Sequence, residues 1–216
     1  MTDQMAAENA VAARLQRVVK HLIRNDRAAA ISELEPLIGA TILTDPIVTR
    51  PVCGDGTWTP GTGVLTKSPP RSTIAAVYVR DSFTCRYCDR WTIPNPVLRL
   101  ISTAFPDEFP FHPNWRKDIA PRVYWDISTT IDHIHAIATG GDHQDPANLA
   151  TACYRCQQQK NSYSLESLGW QLLPPAASGT WSGVIDDYQA LYDALGQPQP
   201  AHHRPWIRAF AATTRA

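Results

Sequence analysis

The chain has 216 residues, 44% of them hydrophobic, which allows one ordinary domain with extensions or two small ones. Lysine plus arginine and aspartate plus glutamate both number 20, so no overall positive field gathers a polyanion, and any nucleic-acid surface must be local. No stretch approaches the roughly 18 consecutive apolar residues of a membrane span, and the N-terminus lacks a basic-then-apolar layout; the expectation is a soluble, cytoplasmic protein with no membrane partner.

In chain order, residues 5–38 read as helical, with Val11, Leu15, Val18, Val19, Leu22 and Ile23 at three- and four-residue spacing. From Pro46 to Pro70 proline and glycine are dense, which predicts a linker. Residues 72–80 predict a short helix leading into Cys85-Arg-Tyr-Cys88. A Pro- and aromatic-rich insertion follows Asp89. Arg122–Ile127 and Thr129–Ile137 then read as two strands, Gly140-Gly141 as a turn, and Asn148–Ser162 as a helix. Trp181–Leu195 predicts a helix stopped at Gly196, and Pro205–Ala212 a last short one. The tryptophans are irregularly spaced and read as core residues. The series Arg71, Arg80, Arg86, Arg90 and Arg99, opposed there by Asp81 and Asp89, is either a local nucleic-acid surface or a solvated face.

Four of the five cysteines form two CxxC pairs, Cys85/Cys88 and Cys153/Cys156, and Cys53 stands alone. Without a secretion signal this points to metal, not disulfides. A redox site would use one such pair; two pairs supply the four thiolates of a tetrahedral structural zinc. Each two-residue gap aims both sulfurs at one ion, and the long interval between pairs makes the ion a staple across the chain.

Between the pairs lie Asp132-His133-Ile134-His135, Gly140-Gly141 and Asn148-Leu149. The run CRYC, IDHIHAIATGG and NLATACYRCQQQK, over about residues 78–162, resembles the HNH endonuclease family in its zinc-knuckle form. The resemblance implies an α+β fold: a ββα-metal (HNH) core with a four-cysteine zinc knuckle, flanked by N-terminal and C-terminal helical extensions. The expected division is 1–45 N-terminal helical region, 46–71 linker, 72–165 nuclease domain with an aromatic-rich insertion at 89–121, and 166–216 C-terminal helical extension.

It further implies hydrolysis of DNA phosphodiester bonds, with His133 as general base, since imidazoles titrate near neutrality. Asp132 would hold a hard divalent cation, Mg²⁺ or Mn²⁺, distinct from the zinc. Asn148 matches the family's middle asparagine and would tie the loop to the backbone near the histidine. At the family's third position, usually His or Asn, this chain has Gln157; Asn161, four residues on along a helix, would supply or supplement that ligand. Lys160, Arg86 and Arg155 are candidate phosphate contacts. Strict strand alternation would send Asp132 and His133 to opposite faces, so a shared site requires twist, a bulge or a strand end. His135, His143, His112, His202 and His203 read as polar or hydrogen-bonding residues, His143 being nearest the motif. The substrate expected is DNA, double-stranded, cut on both strands by a homodimer or nicked by a monomer. The alternative is a non-catalytic zinc module that binds nucleic acid or protein through a decayed motif.

Overall fold

Apolar spacing and a capped turn build the N-terminal region of this computed structural model, which describes residues 2–39, 68–114, 116 and 118–214. Cys53, Trp115 and the linker up to residue 67 lie outside the described residues. Helix α1 (Thr2–Ile23) puts Leu15, Val18 and Val19 wholly out of water, each worth about 1.5–3 kcal/mol. Helix α2 (Arg27–Leu34) starts where the Asp26 carboxylate accepts the Ala29 N–H at 3.0 Å. It folds back on α1, with Glu33 held by Arg14 at 3.0 Å and Arg17 at 2.9 Å.

Helix α3 (Arg71–Arg80) follows Pro69-Pro70 and ends at Asp81, which is fully buried. That carboxylate accepts the Thr151 N–H at 2.9 Å and pairs with Arg80 at 2.8 Å and Arg86 at 3.0 Å. One acid therefore fastens the helix end, the first CxxC segment and the last strand together.

The sheet has the order β1 (Ile93–Pro94), β2 (Ser128–His133), β3 (Leu149–Cys153), with β1 parallel to β2 and β2 antiparallel to β3. Between β1 and β2 lie α4 (Asn95–Ala104) and α5 (Arg122–Ile127). Helix α6 (Tyr154–Lys160) follows β3 directly, and α7 (Leu165–Leu168), α8 (Tyr188–Ala194) and α9 (Pro200–Thr213) complete the chain. This is the α+β class expected, with β2, β3 and α6 as the ββα unit. Its surroundings are less modular than the insertion suggested. Val97, Leu98, Leu100 and Ile101 of α4 join residues of α1, α3, α8 and α9 in one hydrophobic cluster. Trp91 stacks on Trp181 at 4.8 Å, whose indole N–H bonds the Thr92 carbonyl at 2.8 Å.

Several element boundaries differ from the sequence reading. Arg122–Ile127 is helical: Val123, Tyr124 and Ile127 share a buried face, and Arg122 pairs with Asp126 one turn on at 3.0 Å. Strand β2 stops at His133 and does not reach Ile137, which opens a 3₁₀ turn. Leu149–Cys153, expected as helix, is a strand buried at every position. Helix α6 begins only where Cys153 Sγ caps the Cys156 N–H at 3.4 Å. Helix α8 is shorter than Trp181–Leu195, and α9 begins at Pro200, with Pro205 inside it.

Candidate functional site

The first CxxC is a tight turn folded onto the sheet. Cys85 N–H bonds the Arg90 carbonyl at 2.8 Å, and Arg86 N–H bonds the Thr151 carbonyl on β3 at 2.8 Å. The second pair straddles the β3–α6 junction. Thus Cys85, Cys88, Cys153 and Cys156 meet, with ligand atoms all within 4.8 Å of one another. No disulfide joins them. Four thiolates around zinc at bonds of about 2.3 Å lie about 3.8 Å apart, and Cys88 Sγ to Cys153 Sγ is 3.9 Å. The donor set therefore fits a structural tetrathiolate ion. Crowding also divides the thiols: hydrogen bonding from Cys153 and the other two pulls the Cys88 thiol down, while bonding within the cluster pushes Cys153 up. A bound cation would relieve that proton sharing.

Beyond the knuckle, β2 carries the candidate residues on alternating faces. Ile131 and His133, two residues apart, line a cavity of about 300 Å³ whose other walls include Ile74, Ile137, His143 and Gln157. The His133 Nε2–H donates to the His143 carbonyl at 3.2 Å, a tautomer assigned from that partner. Nδ1 is then the nitrogen able to take a proton, and it has no hydrogen-bond partner among the described residues.

The loop behind His133 is closed by Asn148. Its amide oxygen accepts the His135 N–H at 2.8 Å, and its Nδ2 donates to the carbonyls of His135 at 3.0 Å and Asp142 at 2.7 Å. A Cβ on Gly141 would lie 2.0 Å from the His135 carbonyl oxygen, so only glycine admits this approach. Asp142 organises the far side by accepting the Gln144 N–H at 2.8 Å, and those backbone bonds hold its carboxyl below the usual range.

Asp132 takes the opposite face of β2. It is 5% exposed and does not line the cavity. Oδ2 accepts the Tyr87 hydroxyl at 2.5 Å and sits 3.2 Å from Lys160 Nζ; Oδ1 has no hydrogen-bond partner among the described residues. Burial pushes the carboxyl up, opposed by Lys160, and burial beside this carboxylate pushes the Tyr87 phenol well up. Asp132 and His133 are the last two residues of β2, so they share a strand end although they do not share a face.

Three expectations are corrected, for Lys160, Arg86 and Asn161, and Arg155 is placed in an ion-pair cluster. Lys160 is fully buried and donates to the His133 carbonyl at 2.7 Å, so it cannot touch a phosphate. Arg86 is 8% exposed and occupied by Asp81 and the Leu173 carbonyl. Arg155 pairs with Asp126 at 2.9 Å, beside Arg90 and Arg122 on the same carboxylate. Asn161 leaves the helical face: α6 ends at Lys160, and Asn161 adopts φ 48°, ψ −127° on the surface. The arginine series is likewise no single surface, since Arg80 and Arg86 meet Asp81, Arg90 meets Asp126, and Arg99 covers the Phe111 ring at 4.5 Å. His135 is exposed, with its backbone held by Asn148. His143 and Tyr87 are the residues that sequence reasoning undervalues; the only signal for Tyr87 is its place inside the CxxC.

Residues 123–162 match the family model of the HNH endonuclease. No curated protein matches the chain, and no solved structure does. The matched segment holds Asp132, His133, Asn148 and Gln157 but only the second cysteine pair. Among the described residues, no helix is long and apolar enough to cross a membrane.

Proposed function

We propose that the chain is an endonuclease that hydrolyses phosphodiester bonds of double-stranded DNA with His133 as general base. One observation carries the reading: His133 ends β2 at a solvent-reached cavity, with Nε2 committed to the His143 carbonyl and Nδ1 left to accept a proton. The HNH match supports a nuclease, and nucleases of this family act on DNA.

In this scheme His133 Nδ1 takes a proton from a water molecule, whose oxygen attacks phosphorus as the bond to the leaving oxygen breaks; that oxygen is protonated from solvent. Asn148 positions the base by locking residues 135 and 142 around it. On the cavity side the Gln157 amide is a donor suited to a hard cation, Mg²⁺ or Mn²⁺; Asp132 faces away from that cavity and would reach the same ion only around the strand end, through Oδ1, the oxygen that neither Tyr87 nor Lys160 holds. Such an ion supplies charge stabilisation at the phosphate. The four-cysteine cluster would hold zinc in a purely structural role.

Plasmid cleavage with Mg²⁺ or Mn²⁺ tests the assignment. His133→Ala should lose about 10²- to 10⁴-fold in rate while staying folded. Equal cutting by the variant, or none by the parent chain with either ion, overturns it. One observation favours a second reading, a non-catalytic zinc module: Asp132 Oδ2 is already held by Tyr87 and Lys160. Metal-bound, folded protein inactive in both forms would support that module.

A further inference from the structure

A fully buried lysine is rare unless its charge is matched, and the chemistry above makes no use of Lys160. It is nevertheless built in with care. Lys160 Nζ donates to the His133 carbonyl at 2.7 Å and faces Asp132 Oδ2 at 3.2 Å, while that same oxygen accepts the Tyr87 hydroxyl at 2.5 Å. Tyr87 lies between two of the clustered cysteines, and its ring rests against Trp170, centroid to centroid 5.7 Å. The His133–Leu149 pair is the last of the β2–β3 ladder. One further backbone bond, from the Ile134 N–H to the Asn148 carbonyl at 2.9 Å, closes the ladder, and beside it the ammonium group adds a second grip on the backbone that carries the base.

We infer that Lys160 and Tyr87 are positioning residues for His133: they join the cysteine cluster to the hydrolytic cavity through the buried Asp132 carboxylate. The inference rests on His133 being the base. Lys160 fixes its carbonyl from one side of β2, and the His143 carbonyl fixes its ring from the other. Asp132 Oδ2 is the junction. Tyr87 reports the seating of the knuckle to that junction, and Lys160 passes it to the strand end. An unmatched charge here would be costly, because neither Asp132 nor Lys160 is open to water.

The test is ¹⁵N-histidine NMR on the full chain with its cysteine-bound metal and no added Mg²⁺ or Mn²⁺, combined with cleavage kinetics. The parent chain should show His133 as one neutral tautomer protonated at Nε2. Lys160→Met should give mixed tautomers or exchange broadening, and kcat should fall roughly tenfold or more with KM within about twofold, as expected for a misplaced base. Tyr87→Phe should shift both readouts the same way but less. Since Lys160→Met strands a buried carboxylate and could unfold, the double variant Asp132→Leu/Lys160→Met removes both charges together; it should fold and show the same His133 disorder. A folded Lys160→Met or double variant that keeps the parent His133 signal overturns the inference. The NMR arm needs no turnover: parent protein that never cuts DNA but loses tautomer order in the variants sinks the nuclease reading and leaves the positioning role standing.

Discussion

The two sides of the β2–α6 packing use similar polar residues to opposite ends. Toward the knuckle, Tyr87, Asp132 and Lys160 bond one another almost out of reach of water. Toward the cavity, His133, His143 and Gln157 stand where a ligand can reach them. The difference shows how one strand can both brace a small sheet and open onto a cavity: alternation gives one residue to holding and the next to the cavity wall. Changes on the holding side should cost stability and reach activity only through the position of His133, and changes on the cavity side should cost activity directly.

The largest effect belongs to the sulfur cluster. Cys153→Ser should abolish bound metal and the cooperative melting transition, because structural zinc contributes about 10–16 kcal/mol in small domains; an unchanged melting curve would remove the cluster from the holding side. Next comes Asp81→Ala, which leaves the buried Arg86 guanidinium and the Thr151 N–H without their acceptor. A loss of about 3–5 kcal/mol is expected in denaturant unfolding, and a loss under about 1 kcal/mol would mean the fastening is cosmetic.

Acid supplies the third test. Burial lowers His203 to about 4, with His202 and Arg99 adding to it, and His202 is lowered similarly. The unfolded chain binds protons from about 6.5 downward while the folded chain refuses them until about 4, so stability should fall as pH drops through that window. For the fully buried His203 the loss is on the order of 3 kcal/mol, and His203→Gln should flatten the slope in melting scans. The last test falls on the cavity side. Gly141→Ala should cost about 1–3 kcal/mol, because the added Cβ meets backbone at the His135 carbonyl, and it should also lower cleavage, since that carbonyl must move.

How far the molecule can be read beforehand follows from the range of each signal. The cysteine spacing and the Asp-His, Gly-Gly and Asn-Leu order announce the ββα unit, and Asn148 carries the backbone bonds expected of it. Leu149–Cys153 reads wrongly as helix because its helix-forming alanines are placed in a strand by pairing with β2, which local composition does not record. Arg122–Ile127 misleads for the converse reason: β-branched and aromatic residues mask a helical face set by Val123, Tyr124 and Ile127. Lys160, Arg86 and Asn161 show the limit for side chains. A lysine beside an active-site motif looks like a phosphate contact until tertiary packing supplies a carboxylate, and a four-residue spacing means nothing once the helix has ended between them.

The split ownership of the sulfurs has a practical corollary for anyone wishing to excise the motif. Residues 123–162 would carry His133 away with half the clasp, leaving Cys85, Cys88 and Tyr87 behind. In this chain the matched segment is not a portable cassette, and a minimal fragment must reach back at least as far as Asp81, whose carboxylate ties the outer strand, at Thr151, to Arg86 of the first cysteine pair.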